Sequence, residues 1–464
     1  MSSNVSFLQE LLGSIADRGR QLLPSALVGA RREGVEELAV ALLSGRGEAS
    51  GVAIARELID RYRTLTGEQR LAFFRFLATR FKPDGEAVLR AATAHIAAPS
   101  DASLMTLQRA VESPRQELFR RLNLAPGATA EIVAMRSDLL RAPKTEPGFA
   151  AVDSDLQHLL YSWFNRGFLV LRRIDWQTPA AILEKIIRYE AVHAIQGWDD
   201  LRRRLDPTDR RCFAFFHPSL IDEPLIFVEV ALTAGTPDSI QSLLREQQKP
   251  NDGVHVPTTA VFYSISNCQE GLRGISFGNF LIKQVAEELA REVPTLRTFV
   301  TLSPVPTFAR WLDRALAARS DDILPAADAD ALKALRDPRW LETADEGASI
   351  RPALLGAAAH YFLRAKSADG RPVDPVARFH LGNGARLERI NWLGDVSEKG
   401  LREAHGLMVN YLYDLDAIET NHEAYENQGA IAAAKSVRSL LRTAEKPRAA
   451  TKLLTAARPA IGKA

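Results

Sequence analysis

Cysteine, long apolar runs and an excess of one charge are all scarce in this chain of 464 residues. Its two cysteines, Cys212 and Cys268, are far apart and outside any CxxC spacing, so the sequence supports neither a disulfide framework nor a metal site of the zinc type. No apolar run reaches the roughly 18 residues that a membrane helix needs. Lysine and arginine number 59 against 57 acidic residues, so the charge balance does not require nucleic acid. We therefore predict neither a nucleic-acid nor a membrane partner.

The two ends of the chain bear on location. Glu10, Asp17 and Arg18 interrupt the apolar stretch that a signal peptide would need, so we expect a cytoplasmic protein. Residues 446–464 are basic, contain two prolines and do not end in a peroxisomal Ser-Lys-Leu signal. We interpret them as a flexible, solvated tail.

The spacing of apolar residues changes near residue 150 and predicts an α+β protein. Residues 1–155 show almost only helical spacing, with a capping box at Thr66–Gln69 and an apolar stripe through Leu71, Phe74, Ala78 and Phe81. Such stripes are typical of a core or a subunit interface.

Residues 156–445 alternate between helical and strand patterns and form the second predicted domain. Helical spacing resumes at 322–347 and at 398–441. The predicted strands are Phe168–Ile174, Cys212–Phe216, Leu225–Leu232, Val261–Ser266 and Thr298–Leu302.

Ser303 follows the buried strand Thr298–Leu302 and precedes a helical pattern that begins at Thr307. Open α/β sheets place ligands at the carboxyl ends of their strands, so Ser303 is a candidate site residue. Alternatively, it only caps the helix that follows.

His380 is closely followed by Gly-Asn-Gly, a turn whose residues tolerate positive φ and let the backbone approach a bound molecule. Asn383 in this turn is a candidate substrate-binding residue. The alternative is a half-buried strand histidine with no chemical role. Together with Ser303, the segment indicates a small-molecule site.

A glycine-rich loop, 268–279, follows the strand Val261–Ser266 and precedes a predicted helix, Phe277–Glu292. Free backbone N–H groups, Arg273 and a helix N-terminus would suit the phosphates of a nucleotide-tailed ligand such as coenzyme A. A plain tight turn is the competing interpretation, because the spacing matches neither the Rossmann fingerprint nor a P-loop.

With these segments in view, the chain resembles the malonyl-CoA decarboxylases. The resemblance spans roughly Phe168–Leu441. It rests on separated motifs in one order: Phe216-His217-Pro218, Glu223-Pro224-Leu225, Phe262-Tyr263-Ser264-Ile265-Ser266, Leu302-Ser303-Pro304, His380 to Ala385, Arg389-Ile390-Asn391-Trp392 and Asn410-Tyr411-Leu412-Tyr413.

The resemblance implies a helical N-terminal domain followed by an acyltransferase-like domain of the GNAT type, and a homo-oligomer, either dimer or tetramer. It implies that Ser303 and His380 are catalytic and that Tyr413 is an active-site tyrosine, although an aromatic residue in such a run is often core. The stretch that it matches to malonyl-CoA binding is Arg273, Gly274, Ile275, Ser276, Phe277, Gly278 and Asn279. Ser276 departs from the glutamate of many relatives, so either Ser276 forms the hydrogen bond in its place or a different acid such as Glu270 or Asp395 serves.

The chemistry follows from the substrate. Loss of CO2 from a malonyl thioester leaves an enolate whose electrons the thioester carbonyl accepts, so we expect no cofactor and no metal, with the CoA thioester as substrate and acetyl-CoA as product. The enzyme must stabilise an oxyanion and protonate carbon. His380 is the expected proton donor, because an unperturbed histidine titrates near pH 6.5.

Other functions remain open on the sequence alone. An acyl-CoA-dependent acyltransferase would suit the same fold, since one fold hosts many chemistries. A non-enzymatic malonyl-CoA sensor would bind the thioester without releasing CO2. A serine hydrolase is less favoured, because no G-x-S-x-G elbow surrounds Ser303.

Overall fold

The computed structural model describes residues 34–44, 47–245, 256–275, 281–318, 324–337, 339–341 and 350–441. The chain divides into two compact units. The first comprises Met1–Leu232 and Ser264–Glu288, and the second comprises Thr233–Tyr263 and Leu289–Ala464.

The described part of the first unit begins with helices at Val35, as the sequence predicts. Among the described residues no strand precedes Val170. Residues 1–33 of the predicted helical domain lie outside the described residues. The helices are α1 (Val35–Leu43), α2 (Glu48–Thr64), α3 (Gly67–Arg80), α4 (Gly85–Ala97), α5 (Asp101–Val111), α6 (Pro114–Leu122), α7 (Ala128–Arg141) and α8 (Phe149–Trp163).

Helix α3 begins at the predicted capping box. The Thr66 hydroxyl accepts the backbone N–H of Gln69 at 3.3 Å, and the Gln69 side chain accepts the backbone N–H of Thr66 at 2.9 Å. These reciprocal bonds satisfy donors that a helix start leaves unpaired. The buried face is centred on Phe73, Phe74 and Leu77. It is therefore rotated slightly from the predicted stripe.

The strands of the first unit pair antiparallel, β1 (Val170–Ile174) with β2 (Arg210–Phe216) and β2 with β3 (Pro224–Thr233). These strands confirm three sequence predictions within a few residues. Helices α9 (Ala180–Tyr189) and α10 (Trp198–Leu205) cover an apolar core that includes both cysteines, which are free thiols.

The strands of the second unit form a mixed arrangement. Strand β4 (Thr259–Asn267), whose first five residues belong to this unit, pairs parallel with β5 (Thr298–Thr301). Strand β8 (Met408–Leu412) pairs antiparallel with β5, β6 (Ser303–Pro304) and β7 (Arg386–Asn391). The predicted order of a helical region followed by mixed α and β structure is thus confirmed.

One prediction for the second unit is wrong. The sequence pattern predicts helix throughout 398–441, whereas β8 lies within that range. Four of the five β8 residues are buried, and a short strand buried on both faces cannot be told from a buried helix by periodicity.

The helical prediction at 322–347 is supported where that range is described, by α14 and a short 3-10 segment at Lys333–Arg336. Helices completing both units are α11 (Ile240–Arg245), α12 (Leu281–Glu292), α13 (Phe308–Ala318), α14 (Ala326–Leu332), α15 (Ile350–Leu363), α16 (Pro375–Gly382), α17 (Glu398–Ala404), α18 (Ile418–Gln428) and α19 (Lys435–Arg438). Within the described ranges, no helix combines the length and the apolar character that crossing a bilayer requires.

Candidate active site

Ser303 lies where a strand of the second unit ends, as predicted. Strand β5 stops at Thr301, and the N–H of Leu302 donates to the carbonyl of Phe262 at 3.0 Å. Ser303 itself pairs with Val409 on β8 and is 5% exposed. Helix α13 begins only at Phe308, so Ser303 does not cap that helix, and its backbone pairs with β8.

His380 lies in the last turn of α16, not in a strand. The Asp374 carboxylate caps this helix by accepting the N–H of Ala377 at 2.8 Å, and Pro375 occupies its first position. At the other end the N–H of Asn383 donates to the carbonyls of Phe379 and His380. Hydrogen bonds therefore cap both ends of the helix, and they fix the position of the backbone that carries the imidazole.

The three residues predicted to be catalytic meet in one hydrogen-bonded chain. The Ser303 hydroxyl lies 3.0 Å from His380 Nε2, and the Tyr413 hydroxyl lies 2.8 Å from His380 Nδ1. The ring of Tyr411 stacks on the imidazole with a centroid distance of 4.5 Å. All four side chains are buried, so their hydrogen bonds form in a region of low dielectric constant.

Burial changes the expected protonation of His380. Desolvation lowers the pKa of the imidazole to about 3, because the charged form loses its hydration. This burial opposes the expectation that His380 holds a proton near neutrality and favours a neutral imidazole at pH 7. Burial raises the pKa of Tyr413 well above its usual value, so its hydroxyl stays protonated.

No carboxylate hydrogen-bonds His380 among the described residues, whose partners for this ring are Ser303 and Tyr413. The two candidate acids are used elsewhere. Glu270 pairs with Arg141 at 2.5 Å, and Asp395 accepts the side-chain amide of Gln241 at 2.7 Å. A serine–histidine–acid triad is thus not assembled in the described part of the chain.

The Gly-Asn-Gly turn after His380 packs against the backbone of the protein itself. Gly384 has φ of 78°, and a Cβ there would lie 2.1 Å from the carbonyl oxygen of Ile418. The close approach expected for a bound molecule is therefore an approach to α18. The Asn383 side-chain amide donates to the Phe379 carbonyl at 2.6 Å, and its role in substrate binding stays a prediction.

The predicted phosphate loop belongs to the first unit and is fastened to α7. A Cβ on Gly271 would lie 1.9 Å from the carbonyl oxygen of Val133, so this glycine is required by packing. The buried Arg136 donates to the carbonyls of Gly271 and Arg273 at 2.6 and 2.9 Å. The chain is therefore held firmly up to Arg273.

Two backbone groups of this loop are not free, contrary to expectation. The N–H of Arg273 donates to Glu270, and that of Ile275 donates to Leu272. The Arg273 side chain is exposed, as is Gly274, whose φ is 83°. Ser276, Phe277, Gly278 and Asn279 lie outside the described residues, so the helix predicted from Phe277 is seen from Leu281 onward.

Sequence reasoning missed several residues around His380. Thr301 Oγ1 accepts the Ser303 hydroxyl at 2.9 Å, and Asp374 caps the helix that carries the histidine. Tyr411 appeared only as part of a motif. One signal was available, because side chains two residues apart in a strand share a face, as Thr301 does with Ser303 and Tyr411 with Tyr413.

These contacts define an enzyme site of the acid–base class, in which a buried imidazole lies between two hydroxyl groups and no carboxylate of the described residues hydrogen-bonds it. Among the described residues, no group of three or more histidine, cysteine or acidic side chains is placed to hold a metal ion. Comparison with known proteins carries the assignment further.

Family models match most of the chain. The malonyl-CoA decarboxylase C-terminal domain matches residues 167–451, and the N-terminal domain of the same family matches residues 81–164. A mitochondrial malonyl-CoA decarboxylase of Anser anser anser is 35% identical over 353 residues, which are 71% of this chain and 70% of that protein. The chain belongs to the malonyl-CoA decarboxylase family.

Crystal structures agree with that membership. The malonyl-CoA decarboxylase from Rhodopseudomonas palustris is 56% identical with a TM-score of 0.83, covering 87% of this chain and 98% of its own. The one from Agrobacterium vitis is 54% identical with a TM-score of 0.82, covering 88% of this chain and 100% of its own.

Proposed function

We propose that this chain converts malonyl-CoA to acetyl-CoA and CO2, the reaction for which its family is named. The observation that carries the proposal is the buried Ser303–His380–Tyr413 chain in a protein of this family. In the reaction the bond between C2 and the carboxylate breaks, its electron pair passes to the thioester as an enolate, and one proton then adds to C2.

The buried site suits both halves of this reaction. A carboxylate moved from water into dry surroundings loses hydration, which favours its departure as neutral CO2. Hydroxyl and N–H donors fixed near the thioester oxygen stabilise the enolate without reorganising. Ser303 positions the departing carboxylate, and Tyr413 holds the far nitrogen of the imidazole.

His380 delivers the proton to C2. The free imidazole is neutral, since burial lowers its pKa to about 3. A malonyl carboxylate brought next to it would raise that pKa, because an opposite charge favours the protonated form. His380 then takes up one proton with the substrate and returns to the neutral form when C2 is protonated, so each turnover consumes one proton from solvent.

Three other functions predict different outcomes. An acyltransferase would consume acyl-CoA only with an amine acceptor present, and a sensor would bind malonyl-CoA without releasing CO2. A hydrolase would use Ser303 as a nucleophile, which normally needs a histidine oriented by a third group such as a carboxylate. The hydroxyl–imidazole–hydroxyl order seen here favours proton delivery over acyl transfer.

The deciding experiment incubates the purified protein with malonyl-CoA alone and follows acetyl-CoA by chromatography beside CO2 release. Ser303→Ala and His380→Asn should each lower kcat by at least about two orders of magnitude, the size expected for a positioned acid–base group. His158→Asn, at an exposed position of α8, is the matched control and should keep wild-type turnover. Full activity in both site variants contradicts the assignment.

The CoA portion of the substrate is assigned to the loop that ends near Arg273. Its guanidinium is exposed while Arg136 fixes the backbone behind it. An exposed guanidinium on a fixed backbone can bind phosphate through charge-assisted hydrogen bonds. Ser276, Phe277, Gly278 and Asn279 complete this proposal from the sequence resemblance alone.

Self-association is assigned to the pair of helices α4 and α5. Only Ala91 is buried on α4, and α5 buries none of its residues. The exposed apolar side chains on these helices include Leu89, Ile96 and Met105. Such a patch is typical of a protein interface, so we assign a homo-oligomer, which light scattering can test against an Ile96→Glu variant.

The two free, buried thiols suit the reducing cytoplasm.

A further inference from the structure

Thr301 lies between the catalytic serine and a backbone N–H group, and the direction of the hydrogen bond from that N–H group is fixed. It is the last residue of β5 and is fully buried. Its Oγ1 accepts the hydroxyl of Ser303 at 2.9 Å and the backbone N–H of Tyr411 at 3.1 Å. Because an amide N–H only donates, Thr301 Oγ1 is fixed as an acceptor on that side.

The direction of the Ser303 bond determines what His380 can do. A serine hydroxyl has one proton, and the geometry of the contact assigns Ser303 as the donor and Thr301 as the acceptor. The contact between Ser303 Oγ and His380 Nε2, at 3.0 Å, must then be an N–H donated by the histidine.

A neutral imidazole carries a single N–H, so the remaining nitrogen is an acceptor. His380 Nδ1 lies 2.8 Å from the Tyr413 hydroxyl, whose proton completes the chain. The hydrogen bonds therefore run in one direction, from Tyr413 to His380, from His380 to Ser303, and from Ser303 to Thr301.

We propose that Thr301 is a positioning residue that, through Ser303, holds His380 in the tautomer with its proton on Nε2. The proton then lies on the side of the ring that faces Ser303. A serine nucleophile requires the opposite direction, in which the hydroxyl donates to the imidazole. Because the Ser303 proton is then not directed at His380, Thr301 disfavours acyl transfer at this site. The kinetic consequence rests on the proposed decarboxylation, whereas the tautomer does not.

The tautomer can be measured without substrate. Nitrogen-15 NMR of histidine-labelled protein distinguishes a protonated from an unprotonated ring nitrogen, and His380→Asn identifies the signals of His380. We expect Nε2 protonated and Nδ1 unprotonated in the wild type at pH 7. A proton on Nδ1 in the wild type overturns the proposal.

The variants test the cause. In Thr301→Val the Ser303 proton loses its acceptor and turns to the imidazole, so the His380 proton should move to Nδ1. Thr301→Ser keeps the hydroxyl and should keep the wild-type tautomer. Thr259→Val makes the same chemical change at a buried position of β4 and should also keep it. An unchanged tautomer in Thr301→Val refutes the role of Thr301.

The kinetic arm uses malonyl-CoA. Thr301→Val should lower kcat by roughly tenfold to a hundredfold with KM nearly unchanged, the size of effect that misplacing a reacting group produces. Thr301→Ser should stay within a few-fold of the wild type. Wild-type kcat in Thr301→Val contradicts the proposal, whereas absence of CO2 from the wild type contradicts the proposed function and leaves the NMR test intact.

Discussion

Protonation of His380 should make this protein lose stability in acid by an amount that can be calculated. The folded pKa is about 3, whereas a histidine in an unfolded chain titrates near 6.5. Below pH 6.5 the unfolded state therefore binds a proton that the folded state refuses. Stability from this residue is complete above pH 6.5 and falls as the pH drops toward 3.

The slope approaches about 1.4 kcal/mol per pH unit below pH 6.5, so lowering the pH from 6.5 to 4.5 should remove roughly 2 kcal/mol. Two buried carboxyls act in the opposite direction. Burial raises the pKa of Asp374 to about 6 and that of Glu229 to about 7, so both add stability as the pH falls below those values. The curve of the wild type alone would mix these effects.

A comparison with His380→Asn isolates the histidine, because both proteins share the two carboxyls. Urea unfolding followed by far-UV circular dichroism at pH 7.5, 6.5, 5.5 and 4.5 gives the free energy of unfolding of each protein. The wild type should lose stability relative to the variant only below about pH 6.5. His158→Asn controls for exchanging a histidine elsewhere. A difference between wild type and His380→Asn that is independent of pH would refute the assigned desolvation.

Three further outcomes follow from described contacts. Gly271→Ala should destabilise the first unit by roughly 1–3 kcal/mol, since its Cβ would strike the Val133 carbonyl, whereas Gly85→Ala meets nothing within 4 Å and should be tolerated, as thermal unfolding can check. Thr66→Ala removes the capping box of α3 and should lower the free energy of unfolding by about 1 kcal/mol. Arg273→Ala should raise the Kd, measured by calorimetry, for a non-hydrolysable CoA thioether analogue of the substrate, and an unchanged Kd would argue against the proposed phosphate contact.

Local chemistry made part of this structure predictable from the sequence. The capping box at Thr66 was correct because it depends on residues three positions apart. The position of Ser303 after a strand was correct because two prolines limit the backbone that follows. Both features are determined within a few residues of the chain.

Features that depend on distant partners were not predictable in this way. The sequence pattern predicts helix where β8 lies, because this apolar run gains its strand form only by pairing with β5, β6 and β7. The low pKa of His380 comes from burial, which the sequence around it does not reveal. The sequence alone places Gly271 in a phosphate-binding loop, whereas in the structure this glycine packs against the backbone of Val133.

The helix that carries His380 has only eight residues. A helix this short is marginal in water by itself, so contacts at its two ends determine whether and where it forms. Asp374 and Asn383 supply those contacts. Inherited changes at either end could therefore shift the imidazole by a fraction of an ångström and alter turnover, while every residue that touches the substrate stays the same. Rate in this lineage can evolve from positions that an alignment of catalytic residues would not mark.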